Sequence, residues 1–172
     1  MGCISISTWQ QEADKMLRTV RIPNWRRPIF AEDTSEPQLA ATSYFRRVTV
    51  SPSLILSAGT HRRAIIAHEL AHLRGFHFLL SGGSSAAAFF VCLHVLSREP
   101  SLIVICALFG TVFAIKYDVG LILELLADSA AAKIVGREQV KDLLEWINST
   151  DTDFSKTLYV RIRLFWFNQT KC

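Results

Sequence analysis

Apolar residues recur at helical spacing near the start of the chain, at Trp9, Ala13, Met16, Leu17 and Val20, which predicts a short amphipathic helix over 8–20. Pro23 and Pro28 break that pattern. Residues 28–31 read as a short strand and 32–37 as a loop. A better strand follows at 45–50, where Val48 and Val50 alternate with Arg47 and Thr49 before Pro52 ends it. Beyond Gly59 the period becomes helical. Thr60 is the expected N-cap of a helix through 61–74, and Gly75 its interruption. Residues 78–97 form a twenty-residue apolar run, roughly 30 Å as a helix and enough to cross a bilayer. A polar tip at 98–101 turns the chain. Residues 102–115 give roughly 21 Å more, and the helix is expected to continue through 119–135 until Gly136 stops it. A further amphipathic helix is predicted over 138–148, and 158–167 alternates as a strand does.

The expected fold is therefore mainly α with a small β edge (α+β). An HExxH helix and an ExxxD helix are joined by an apolar, transmembrane-type helical hairpin. One domain is expected over 1–172, with the hairpin at 78–115. Composition sharpens this picture. Half of the residues are hydrophobic, yet between Phe78 and Ile115 the only charged ones are Arg98 and Glu99. Such a block fits a lipid bilayer, or else a hairpin buried inside a soluble protein. The net charge of +4 arises in the first part of the chain, where 1–77 hold ten Lys/Arg against six Asp/Glu. The arginine pairs are scattered without interleaved aromatics, which argues against nucleic acid and suits anionic headgroups. The cysteines Cys3, Cys92, Cys106 and Cys172 show no metal-binding or disulfide spacing. No secretory leader is expected, so the two glycosylation sequons read as chance, and Ile6 argues against myristoylation of Met-Gly-Cys.

The chemistry centres on His68-Glu69-Leu70-Ala71-His72. Histidines four apart share one helical face, so both imidazoles can reach one ion, and the Glu between them can deprotonate a water that the ion has acidified. Zinc is the expected metal, because it takes nitrogen ligands and leaves an open position in catalytic sites. Two surface histidines would be the alternative, but Ala64, Ile65, Ile66, Ala67, Leu70 and Ala71 frame the motif as a core helix. A third ligand is needed. The metzincin spacing would place it at Phe78, and the chain has no methionine after Met16 for the downstream turn of that class. Glu124, in Glu124-Leu-Leu-Ala-Asp128, is the expected third ligand. Asp128, one turn later, is expected to fix the tautomer of a ligand histidine. A hairpin between the two helices would bring these groups together from opposite ends of the apolar block. His61 reads as a surface residue. His94 is an ionisable group inside the hairpin, where a hydrogen bond between helices is its expected use.

With HELAH, His77, the apolar hairpin and ELLAD in that order, the chain resembles the HtpX-like and CAAX-prenyl-protease-like membrane zinc metallopeptidases over roughly 44–165. The family's HExxHxxxxH matches His68, Glu69, His72 and His77, and its later helix matches Glu124, Ala127 and Asp128. The resemblance implies a zinc endopeptidase of the bacterial inner membrane, and the Lys/Arg bias of the ligand-side flanks over the tip predicts a site towards the cytoplasm. The resemblance also implies an extended protein or peptide substrate paired along 45–50, and an oxyanion-stabilising arginine in an Arg-Ile context at Arg161, with Arg163 as competitor. The chain departs from the family in lacking transmembrane helices within 1–60. The BlaR/MecR antirepressor-type peptidases are a related alternative with a similar HELAHLR string, although they usually carry Asp in place of His77. A zinc-stabilised scaffold without turnover is the alternative of a different class, and Glu69 argues against it.

Overall fold

The structure is a computed structural model that describes residues 5–20, 27–34, 41–44, 46–75, 77–98, 101–150 and 154–169. Helix α1 (Ile6–Val20) buries Trp9, Ala13 and Met16, the face that its periodicity predicts. Strands β1 (Ile29–Glu32), β2 (Ala41–Tyr44) and β3 (Arg47–Val50) form a three-stranded sheet in the order β1-β3-β2. β1 runs parallel to β3, with Phe30 opposite Val48, and β2 runs antiparallel to it, with Ser43 opposite Val48. Ser51 caps α2 (Pro52–Ser57) by accepting from the Leu54 amide at 3.3 Å. Gly59, at a φ of 45° that few side chains tolerate, then turns the chain through a single 3₁₀ turn, Gly59–His61. Thr60 lies inside that turn, so the helix expected from residue 61 begins one residue later, as α3 (Arg62–Gly75).

The remaining elements are α4 (His77–Leu96), α5 (Leu102–Val135), α6 (Arg137–Thr150) and α7 (Phe154–Gln169). α3 lies at the centre. Ala64, Ile65, Ile66, Ala67, Leu70 and Leu73 are all buried, with α1, the sheet, α2, α6, α7 and the last turns of α5 supplying the rest of the core. A helix apolar on nearly every side is expected in that position. Two polar ties dock α1. Arg62 grips Glu12 at 2.6 and 3.1 Å, and the Gln10 side chain donates to Pro28 O, just before β1, and accepts from Phe30 N within it.

Two expectations need correction. The resemblance implies an edge at 45–50 for an extended partner, but β3 is the middle strand and pairs on both sides; Phe45 lies outside the described residues. The alternation over 158–167 predicts a strand, yet this stretch belongs to α7. Its helical spacing buries Val160, Arg163 and Phe167 and leaves Leu158, Arg161 and Phe165 exposed. The apolar helices, by contrast, stand as the transmembrane-type reading expects, outside the core. Phe89, Phe90, Val91, Ile103, Phe109 and Phe113 are all exposed, and both helices are long and apolar enough to cross a membrane. An exposed apolar surface that continuous is characteristic of a membrane or partner contact. α5 runs unbroken for 34 residues, about 51 Å, so the second hairpin leg and the segment packed on α3 are one rod.

Candidate metal centre

Helices α3 and α5 pack along one another. His72 is level with Glu124, and His68 with Glu124 and Asp128, so the two helices run antiparallel across the site. The structure brings His68, His72 and Glu124 together. The two imidazole Nε2 atoms are 2.9 Å apart, His68 Nε2 is 3.1 Å from Glu124 Oε2, and His72 Nε2 is 3.2 Å from Glu124 Oε1. One donor atom from each residue lies within 4.8 Å of the others, a spacing that a single ion can bridge. Two imidazole nitrogens facing each other at 2.9 Å beside a carboxylate can share a hydrogen-bonding proton, and a metal ion can take that proton's place.

Asp128 completes the arrangement. It is 1% exposed, and its Oδ1 lies 2.9 Å from His68 Nδ1, which leaves Nε2 facing Glu124 and His72. Burial opposes a charge on His68, but the carboxylates of Asp128 and Glu124 outweigh it and push the imidazole pKa up to about 10. The donor set thus attracts positive charge strongly, and a metal ion there competes with a proton. Glu69 is buried on α3 immediately after His68, at 6% exposure.

The arginine at this site is Arg163, and the expected Arg161 is exposed on the other side of α7. In a strand the two would share a face. In a helix they stand about 200° apart, so only one can reach α5. Arg163 is 8% exposed. It forks onto Asp128, with Nε to Oδ2 at 2.8 Å and Nη2 to Oδ1 at 2.6 Å, and its Nη1 lies 3.0 Å from Glu124 Oε2. Burial works against its charge, and the Asp128 and Glu124 carboxylates hold it protonated.

Sequence reasoning missed Tyr159, one turn before Arg163 on the same face of α7. Its hydroxyl lies 3.6 Å from where a Cβ on Gly120 would sit, and its ring meets Tyr117 at 5.6 Å. Gly120 is itself one turn before Glu124. Burial first, and the Glu124 charge second, keep the phenol protonated well above its ordinary range. A helical reading of 158–167 puts Tyr159 and Arg163 on one face. The other histidines lie elsewhere: His61 stacks on Trp146 at 5.1 Å, and His94 is exposed on α4. His77 opens α4, and its side chain lies outside the described residues.

Comparison with known proteins bears on the same residues. No curated protein and no solved structure gives a significant match to the chain. The family model of peptidase family M48, a metal-dependent family, matches residues 9–156, a stretch that includes α3, the hairpin and the Glu124-to-Asp128 segment but stops short of Arg163. With most of its length matched, and with two histidines and a glutamate gathered where one ion can sit, the chain belongs to peptidase family M48.

Proposed function

We propose that the protein is a zinc-dependent endopeptidase of the HtpX-like type, acting beside a membrane that its hairpin enters. The observation that carries this reading is the convergence of His68, His72 and Glu124, with Glu69 buried next to His68. Their donor separations of 2.9–3.2 Å approach the roughly 3.3 Å set by tetrahedral bonds of about 2.0–2.1 Å. A set of two histidines and one glutamate leaves the fourth position for water, as catalytic zinc sites require. Zinc, when bound, supplies Lewis acidity towards the scissile carbonyl and acidifies that water.

The protein's own groups do the rest. Glu69 accepts the proton of the attacking water and returns it to the leaving amine. Asp128 holds His68 Nδ1, so the imidazole keeps its Nε2 turned to the ion. The substrate lies extended along β2 rather than β3. Among the described residues β2 is an edge strand packed on α3, while the outer side of β1 is taken at Phe30 N by Gln10 Oε1 at 3.0 Å. Backbone pairing along such an edge aligns a peptide regardless of its sequence. Exposed apolar side chains along α4 and the first half of α5 support bilayer insertion. Arg62, Arg63, Arg74, Lys116 and Lys133 flank the ligand side and only Arg98 lies near the tip, a bias that supports a site facing the cytoplasm.

Purified protein tests the assignment directly. Glu69→Gln is expected to abolish peptide hydrolysis while retaining zinc. Chelator-sensitive hydrolysis that survives the substitution contradicts the role given to Glu69.

A further inference from the structure

The arginine on α7 makes more contacts with the site than charge neutralisation requires. Glu124 carries two oxygens, and both face donors: Oε1 faces His72, while Oε2 faces His68 and Arg163 Nη1. A carboxylate so placed can chelate an ion through both oxygens or give one and keep the other occupied. The choice decides whether three protein donors and a water fill the site or the second oxygen adds a fifth donor. We propose that Arg163 is a positioning residue that holds Glu124 Oε2, confines Glu124 to single-oxygen donation, and thereby keeps the metal site four-coordinate. The proposal rests on the metal reading above and extends it to a residue outside the stretch that the family model matches.

Three features make Arg163 suited to this. Its fork onto Asp128 uses Nε and Nη2, at 2.8 and 2.6 Å, which locks the guanidinium plane and leaves Nη1 directed at Glu124. Val160 and Phe167, three residues before it and four after, are buried in the core and pin the backbone of α7 on both sides. Asp128, the other end of the fork, also faces His68 Nδ1. One planar group therefore sets the orientation of one ligand directly and of a second through Asp128. A lysine at this position would carry the charge but not the fixed fork, since its ammonium cannot engage Asp128 in two places and Glu124 in a third.

The test uses the full-length protein loaded with cobalt(II), whose visible absorption is intense at four-coordinate sites and weakens as coordination number rises. Metal affinity is measured alongside by competition with a chromogenic chelator. Wild type is expected to give the intense spectrum. Arg163→Lys and the charge-balanced double variant Arg163→Met/Asp128→Asn are expected to give weaker bands and about 10–100-fold lower affinity, with the lysine variant retaining more of both. Circular dichroism establishes that each variant is folded, and should the double variant fail to fold, Arg163→Lys alone decides. Folded variants with the wild-type spectrum overturn the positioning role and leave the metal reading intact. Wild type that takes up neither cobalt nor zinc overturns the metal reading and the proposal with it.

Discussion

Asp128→Asn tests the network of buried charges behind the ligands. Oδ1 of Asp128 serves both His68 Nδ1, at 2.9 Å, and Arg163 Nη2, at 2.6 Å, whereas Oδ2 serves Arg163 Nε at 2.8 Å. An asparagine has one carbonyl oxygen. Placed at the Oδ1 position, it keeps the first two contacts but sets its NH₂ against the Nε–H, donor to donor. The reverse placement loses two contacts to save one. Either way Arg163, only 8% exposed, is left with Glu124 as its remaining carboxylate. Breaking a buried ion pair from one side costs about 3–5 kcal/mol. That is a large share of the roughly 5–15 kcal/mol that holds a typical domain together. In the metal-free protein we therefore expect a loss of about 3–5 kcal/mol on unfolding, followed by circular dichroism in mild detergent with chelator present. Zinc affinity should fall about 10–100-fold, because His68 loses the charged partner that orients it. A variant within about 1 kcal/mol of wild type that binds zinc equally well would refute the idea that Asp128 and Arg163 form a coupled support.

Two further outcomes follow from the charges around the hairpin and site. With the His68 pKa raised to about 10, its proton stabilises the metal-free fold fully below the unfolded value of roughly 6.5, and this contribution is lost as pH climbs towards 10. Zinc binding at pH 7 should accordingly release about one proton, read as a dependence of calorimetric binding enthalpy on the buffer's ionisation enthalpy; an enthalpy independent of buffer contradicts it. For topology, Glu99→Cys in a version lacking the four native cysteines should react with an impermeant thiol reagent on intact cells, and labelling only after lysis contradicts a cytoplasmic site.

Much of this arrangement is legible in the sequence because its signals are local. A four-residue histidine spacing defines one helical face, and the block from Phe78 to Ile115, charged only at Arg98 and Glu99 in its polar tip, reads as an apolar hairpin. The contact between Glu124 and the histidines could be anticipated from the same hairpin, which returns the chain to its starting level. What could not be read depended on partners distant in the chain. β2, with the sequence Ala-Thr-Ser-Tyr, has no apolar alternation and exists because β3 pairs with it. The place of β3 in the middle of the sheet follows from that pairing and from the parallel crossover out of β1. In α7, Leu158, Val160, Ile162 and Leu164 recur every second residue, a pattern that fits a strand as well as a helix over a short run. Burial of Val160 and Phe167 against the core, together with the reach of Arg163 to Asp128, favours the helix. With the period misread, Arg161 and Arg163 appear equivalent, although only one of them faces α5.

The central claim is that one metal ion is held by His68, His72 and Glu124, ligands that the hairpin separates in sequence and brings together in space. Zinc content per chain, measured by elemental analysis on purified wild type and on Glu124→Ala, tests it most directly. The account predicts one zinc per chain in wild type and a sharp fall in Glu124→Ala, with the variant still folded by circular dichroism. Stoichiometric zinc in Glu124→Ala would contradict it and would move the third ligand to another residue.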